Sequence, residues 1–507
     1  MSLAYRGTRR SFTAATSGAR ALALAGAPVR ASRFRLTPLA VGASIRIADG
    51  HIVAIASHGE RLDPVRGEQQ FDAAGAAVLP GLHDHHIHLL AHAAALASLQ
   101  CGPPQQRSAE TLATALRQAA GEGAGKGDGN GHGDDGWLRG IGYHASVAGD
   151  IDRDWLDAIV PQRPLRIQHR SGQLWILNSR ALARLGVADD GGGDPFERSA
   201  GRLTGRLYGA DQWLRQRLGA ALPGLGAVSL TLARRGVTGV TDASPGNGLP
   251  EFEHFAAEQA RGPLRQSVLV MGGAQLDGVT PRAGLAVGPT KLYLREVALP
   301  PFDALCGDIR RSHAVGRAVA VHCVTLAELV LAVQALRECG VHDGDRIEHA
   351  SLCSPQALEL LRSARVRVVT QPHFVFERGD AYRTELSADE LGWLYRGRAF
   401  VDAGIRLAAG SDAPYGAADP WASMAAAVRR RSRSGCVIGA DEALAPAQVL
   451  GLFGGDASRP GQGTVALAVG ARADLCVLDR NRSEMAADFA AVQVRLTLRQ
   501  GEPIWVA

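Results

Sequence analysis

From about residue 230 the chain repeats one unit: a short β-branched run ending in a polar residue, followed by an amphipathic stretch. A parallel sheet requires this rhythm, because parallel neighbours must be joined by crossover segments rather than tight turns. The runs are residues 237–241, 266–270, 290–294, 318–322, 346–349, 366–370 and 405–408, and residues 77–79 with their extension to His88 supply an eighth. Eight parallel strands predict an α/β fold, a closed (β/α)8 TIM-like barrel, whose chemistry sits at the C-terminal ends of its strands.

At 507 residues the chain exceeds one ordinary core, and 46% hydrophobic with 21% charged residues is the composition of a soluble globular protein. The 61 glycines and 24 prolines agree with many short turns. Residues 41–47 and 49–55 read as two strands around an Asp49-Gly50 turn, the start of a small β-unit. Residues 1–40 are expected to be a disordered leader. Residues 1–48 hold eight arginines and no acid, which resembles a transit peptide but also follows from an arginine-rich bias, so no targeting role is assigned. Residues 119–136 are glycine-rich around Lys126 and read as a flexible linker; a phosphate loop needs Ser or Thr after its lysine, and a calcium solenoid needs repeats.

No apolar run reaches the roughly 18 residues of a membrane span, and a net charge of +5 is small for this length. Neither a membrane nor nucleic acid is therefore expected as a partner. The densest basic cluster, Arg429-Arg430-Arg431-Ser432-Arg433, lacks interleaved aromatics and reads as a solvated helix end. Seven scattered cysteines without a Cys-x-x-Cys pair read as reduced thiols in a cytoplasmic protein. Self-association as a homo-oligomer stays open.

Only two of the 55 basic side chains are lysines, Lys126 and Lys291, and Lys291 stands in an apolar strand-like run. A buried amine can lose its proton and then act as a nucleophile or carry a carbamate, which a guanidinium cannot do. The first barrel strand finishes Pro80-Gly81-Leu82-His83-Asp84-His85-His86-Ile87-His88. Residues i and i+2 of a strand share a face, so His86 and His88 can share one metal ion and Asp84 can orient a ligand, while His83 and His85 point away. Lys291 lies in the fourth run, His322 closes the fifth, His349 closes the sixth, and Asp412 follows the eighth. Each has an ordinary structural reading: His322 as a satisfied core histidine, His349 as a partner of Glu348, Asp412 as a helix N-cap. Gathered on one barrel rim, nitrogen and oxygen donors of this kind suit zinc, with manganese or iron also compatible.

With these residues in this order the chain resembles the amidohydrolase superfamily. The matching segments are PGLHDHHIH at 80–88, GPTKLYL around Lys291, AVAVHCVT around His322, DRIEHA around His349 and AGSDAPYG around Asp412. Residues 136–143, 177–182, 203–207 and 370–374 resemble the family-3 branch, which includes N-substituted formamide deformylases. The resemblance implies a barrel over 81–455 with an insertion at about 100–225. It also implies a composite β-sandwich domain built from both chain ends, 41–80 plus 456–507, to which ARADLCVLD at 471–479 contributes.

By the same resemblance, Lys291 is carboxylated by CO2 and its carbamate bridges two metals. His86 and His88 hold one and His322 and His349 the other, with one or two zinc ions bound. Asp412 contacts the first metal and is the catalytic base and then acid, as metal-activated hydroxide attacks a carbonyl. The implied reaction is cleavage of a non-peptide C–N bond in a small linear amide or N-formyl compound. A deaminase, lactonase or cyclic-amide hydrolase would use the same metal site. A non-catalytic binding or assembly protein would lack ligands, and none is missing. Tyr143, His169, Trp175 and His373 are the candidates for substrate binding, each with ordinary packing as the alternative. Gln173 stands where the branch carries a histidine, so the leaving or acyl group is open.

Overall fold

Gly81 divides what the sequence presents as one continuous strand. In the computed structural model, Val78–Pro80 pairs antiparallel with Leu475–Leu478, whereas β1 (Leu82–Ile87) enters a parallel sheet. A Cβ at position 81 would lie 2.2 Å from Thr238 Oγ1, so only glycine lets the chain pass between the two sheets here. The structure describes residues 33–37, 44–56, 60, 62–122, 136–190, 195–219, 222–463 and 466–507. Residues 1–32 of the expected leader, and 123–135 of the expected linker with Lys126, lie outside the described residues.

The remaining barrel strands are β2 (Val237–Asp242), β3 (Ser267–Gly272), β4 (Leu285–Tyr293), β5 (Val319–Cys323), β6 (Arg346–His349), β7 (Arg367–Thr370) and β8 (Leu407–Ala409). Every neighbouring pair from β1 to β8 is parallel and the order is sequential, giving an eight-stranded, nearly closed barrel. Past β8 the chain returns to β1: Asp412 N–H donates to His86 O at 2.7 Å and His88 N–H to Ala413 O at 2.9 Å. β2, β6 and β7 are buried along their whole length although they read VTGVTD, RIEH and RVVT, so their polar side chains need partners inside the barrel.

Two four-stranded sheets accompany the barrel. One has the order His51–Ala56, Ser44–Ala48, Arg33–Thr37, Gln69–Asp72; the other has Glu502–Val506, Val494–Arg499, Leu475–Leu478, Val78–Pro80. Ile45, Ile47, Ile52 and Phe71 of the first share one apolar core with Leu475, Val477, Leu496 and Leu498 of the second. The leader expected through residue 40 is corrected here. Arg33–Thr37 is a strand, because its backbone pairs with Ser44–Ala48 on one side and Gln69–Asp72 on the other. A second correction concerns the basic cluster: Arg430 is buried at the end of the helix Pro420–Arg429 and donates to Leu394 O and Tyr395 O, each at 2.8 Å.

Residues Leu89–Val228 form a separate compact unit. Its six-stranded sheet has the order Phe196–Ser199, Arg202–Tyr208, Leu174–Leu177, Leu165–His169, Leu138–Tyr143, Leu99–Gln100. Asn178 anchors it from a fully buried position: its side chain caps the helix Ser179–Arg184 and donates to Val160 O and Arg163 O at 2.8 Å. Among the described residues no helix is long and apolar enough to cross a membrane.

Candidate metal centre

The C-terminal ends of the barrel strands carry the chemistry. His86, the penultimate residue of β1, and His88, just beyond it, both turn Nε2 toward one oxygen: Asp412 Oδ1 lies 3.5 Å from the first and 3.2 Å from the second. One nitrogen of each and a carboxylate oxygen of Asp412 lie within 4.8 Å of one another. The chain can bring Asp412 there because Gly410 lets it run against β1; a Cβ at 410 would sit 2.4 Å from His86 N. Asp412 itself has φ +52°, a conformation unfavourable for a residue with a Cβ, as expected where a site holds a side chain in place. It caps no helix, since the helix Pro420–Arg429 is capped by Asp419.

His322 at the end of β5 and His349 at the end of β6 are in ring contact, with centroids 4.4 Å apart and planes at 73°. The His349 ring lies 4.8 Å from that of His86. His349 has φ +70°, which breaks the strand alternation after Glu348. Lys291, near the end of β4, is 6% exposed, and its Nζ is buried without a hydrogen-bond partner among the described residues. Burial, the main influence, holds its amine below the ordinary lysine value against the opposing charge of Glu348. Burial likewise lowers His86, to about 3, and also lowers His322 and His349. Burial alone would raise the Asp412 carboxyl; the hydrogen bond from His88 and the neighbouring imidazoles outweigh it and hold the group well below the usual carboxylate range.

Imidazoles of His86, His322 and His349 held toward their neutral form, a carboxylate held ionised and a buried amine without a hydrogen-bond partner among the described residues fit a metal ion, which needs deprotonated donors. The Nδ1 atoms facing away from the cluster are engaged. His86 Nδ1 is 2.5 Å from Glu348 Oε2, His88 Nδ1 is 3.0 Å from Ser244 Oγ, and His349 Nδ1 is 2.8 Å from Gln371 Oε1. Outer hydrogen bonds of this kind fix ring orientation in metal sites. The ordinary structural alternative for His349, a pairing with Glu348, is not what the structure has: Glu348 pairs with His86 and Arg346. Gln371 and Ser244 were missed as orienting groups, and their only sequence signal is polarity at the end of an apolar run. Asp84 does not meet a ligating imidazole. Its Oδ1 accepts from the main-chain N–H of His86 and of Ser411, which ties β1 to the Asp412 segment. His83 pairs with Thr241 Oγ1 and His85 with Gly454 O.

Among the candidates for substrate contact, Tyr143 and His169 stand edge to face with ring centroids 6.5 Å apart. His373 is buried, with Nε2 3.0 Å from Ser411 O beside Asp412 and Nδ1 3.2 Å from Ser423 Oγ on the helix Pro420–Arg429. Tyr143 is 2% exposed in a packed core and donates its hydroxyl to Gly149 O at 2.6 Å. Trp175 is buried in a second core of the same unit, with Arg139 and Arg166 over its ring. In this structure all three are buried with packing or hydrogen-bond partners, and substrate contact at them stays an expectation from the sequence. His169 is half-buried, its Nδ1 2.8 Å from Ser171 Oγ and its ring 5.9 Å from that of His144.

Comparisons with known proteins bear on the family and the fold. The sequence profile described as the Amidohydrolase family matches residues 69–505. An N-substituted formamide deformylase of Arthrobacter pascens is 23% identical, with 90% of this chain and 94% of that protein covered. A putative amidohydrolase of Bacillus subtilis (strain 168) is 24% identical over 77% of this chain and 80% of its own. The crystal structure of an uncharacterized metal-dependent hydrolase from Pyrococcus horikoshii OT3 shares the fold with a TM-score of 0.70, at 19% identity, over 94% of this chain and all of that one.

Proposed function

The chain belongs to the amidohydrolase family, and from that premise we propose that it is a metal-dependent hydrolase that cleaves the C–N bond of a linear amide or N-formyl compound. The observation that carries the metal reading is the convergence of His86, His88 and Asp412 on one point in the barrel mouth. The choice of an acyl C–N bond draws on the similarity to the formamide deformylase.

His86 and His88 would hold the first ion together with Asp412, and His322 and His349 a second. Lys291, carboxylated by CO2, would offer two carbamate oxygens from a position where its free amine has no partner. The bound ion, zinc or otherwise manganese or iron, supplies Lewis acidity and brings the pKa of a water toward about 7. Asp412 is the acid–base group of the chain. Kept ionised in its resting state, its carboxylate takes the proton of the attacking water and returns it to the leaving nitrogen, which departs as a neutral amine. Fixed rings and a nearly closed strand circle keep these groups oriented without reorganisation during the reaction.

The test is a screen of purified protein, with its metal content measured, against N-substituted formamides, longer acyl amides, cyclic amides, lactones and aminopurines. Release of formate or another acid with the free amine is the expected result. Turnover confined to lactones or aminopurines would replace the proposed substrate class, and full activity in metal-free protein would remove the metal reading.

A further inference from the structure

We propose that Glu348, held in place by Arg346, is the positioning residue that decides which nitrogen of His86 is offered to a metal. This rests on the metal-site reading above and adds to it a determinant of affinity outside the ligand set.

Arg346 and Glu348 stand at i and i+2 on β6, share a face, and are both fully buried at 0% exposure. Arg346 Nε donates to Glu348 Oε1 at 2.6 Å, and Arg346 Nη2 donates to His85 O at 3.1 Å, which ties the guanidinium to the main chain beside His86. The other carboxylate oxygen, Oε2, lies 2.5 Å from His86 Nδ1. A guanidinium has only donors and a carboxylate only acceptors, so hydrogen-bond polarity runs one way along this chain. Nδ1 must carry the proton, which leaves the lone pair on Nε2, the atom that faces Asp412 at 3.5 Å. With the opposite tautomer Nε2 would point an N–H at Asp412 and have nothing to give a metal. The Ser244 hydroxyl beside His88 can either donate or accept, so it imposes no such choice. A buried ion pair is also an expensive way to fill space, and apolar side chains of similar volume often replace one without loss of stability.

Glu348→Gln preserves shape and reverses the logic. Arg346 requires the amide oxygen on its side, so the NH2 group faces Nδ1 and drives the His86 proton to Nε2. Zinc affinity, measured by competition with a chromophoric chelator, is expected to weaken by about 10- to 100-fold. The visible spectrum of the cobalt-substituted protein should change, while the circular dichroism of the metal-free protein stays as in the wild type. Wild-type zinc affinity with an unchanged cobalt spectrum in Glu348→Gln overturns the proposal. Should that variant not fold, Arg346→Met with Glu348→Leu removes both charges together; it should fold and bind zinc as weakly, and wild-type affinity there is equally fatal. A direct reading needs no variant: nitrogen-15 histidine spectra of the metal-free wild type should show the Nδ1–H tautomer for His86, and Nε2–H would overturn the assignment. Failure of the wild type to bind any metal would sink the functional reading, whereas the tautomer measurement judges Glu348 alone.

Discussion

Buried histidines behave differently in the barrel and in the inserted unit. In the barrel His86 and His349, each at most 3% exposed, have Nδ1 engaged by a named acceptor and a second nitrogen facing the cluster. In the inserted unit His92 is 8% exposed, and neither ring nitrogen has a hydrogen-bond partner among the described residues. The difference teaches that burial alone does not mark function. What marks it is burial with one end of the ring held and the other end aimed at further donors. Arginine–aromatic stacking does not separate the two: Arg139 and Arg166 lie over Trp175 in the inserted unit, and Arg378 lies over Phe374 in the barrel.

If the contrast is sound, variants in the two regions should separate activity from stability. The largest effect belongs to Asp412→Asn, which retains size but cannot take a proton: kcat should fall by about 10²- to 10⁴-fold with an unchanged circular dichroism spectrum. Turnover within a few-fold of wild type would remove Asp412 from the acid–base role. Lys291→Arg should also be inactive, because guanidinium does not form a carbamate; loss of the carbamate carbon signal on carbon-13 NMR of protein grown with labelled bicarbonate is the matching readout.

Trp175→Ala should do the opposite, costing about 3–5 kcal/mol of stability through a core cavity while the material that stays folded keeps its KM. A raised KM without loss of melting temperature would instead make Trp175 a substrate contact. His92 gives a pH test with a definite sign. Burial lowers it from the ordinary 6.5 to about 4, so the unfolded chain binds the proton more readily. Its neutral form costs no stability above about pH 6.5, and stability drains away as pH falls toward 4, by at most roughly 3 kcal/mol. His92→Leu should flatten that acid limb of the urea-denaturation profile, and an unaltered limb would show that other groups carry it. The smallest effect expected is Tyr143→Phe, about 1 kcal/mol for the lost hydroxyl bond to Gly149 O, with turnover unchanged.

Much of the barrel was legible because its strands are apolar runs interrupted by polar residues at one end. His86, His88, Lys291, His322, His349 and Asp412 stand out against such a background wherever the strands end up. The division at Gly81 was not legible, since the apolar pattern continues across it; the break exists because Thr238 of the neighbouring strand occupies the space a side chain would need. Nor was the six-stranded sheet of the inserted unit. Its strands are only 2 to 7 residues long and mix parallel with antiparallel pairs, so no single period announces them. The strand Arg33–Thr37 was hidden within an arginine-rich stretch and is defined by backbone pairing on both edges.

The sequence by itself determined the βα order, the polar strand ends and the chemical types available to a metal, because these follow from local periodicity and composition. Tertiary structure alone decided the partners. Glu348 meets His86 rather than its neighbour His349 because it shares the face of Arg346 and is buried against the first strand, while His349, at φ +70°, turns to Gln371. The partners of His373, Tyr143 and Trp175 were likewise decided by tertiary contacts. A side chain's role depends on what closes around it, and that is settled by contacts between residues far apart in the chain.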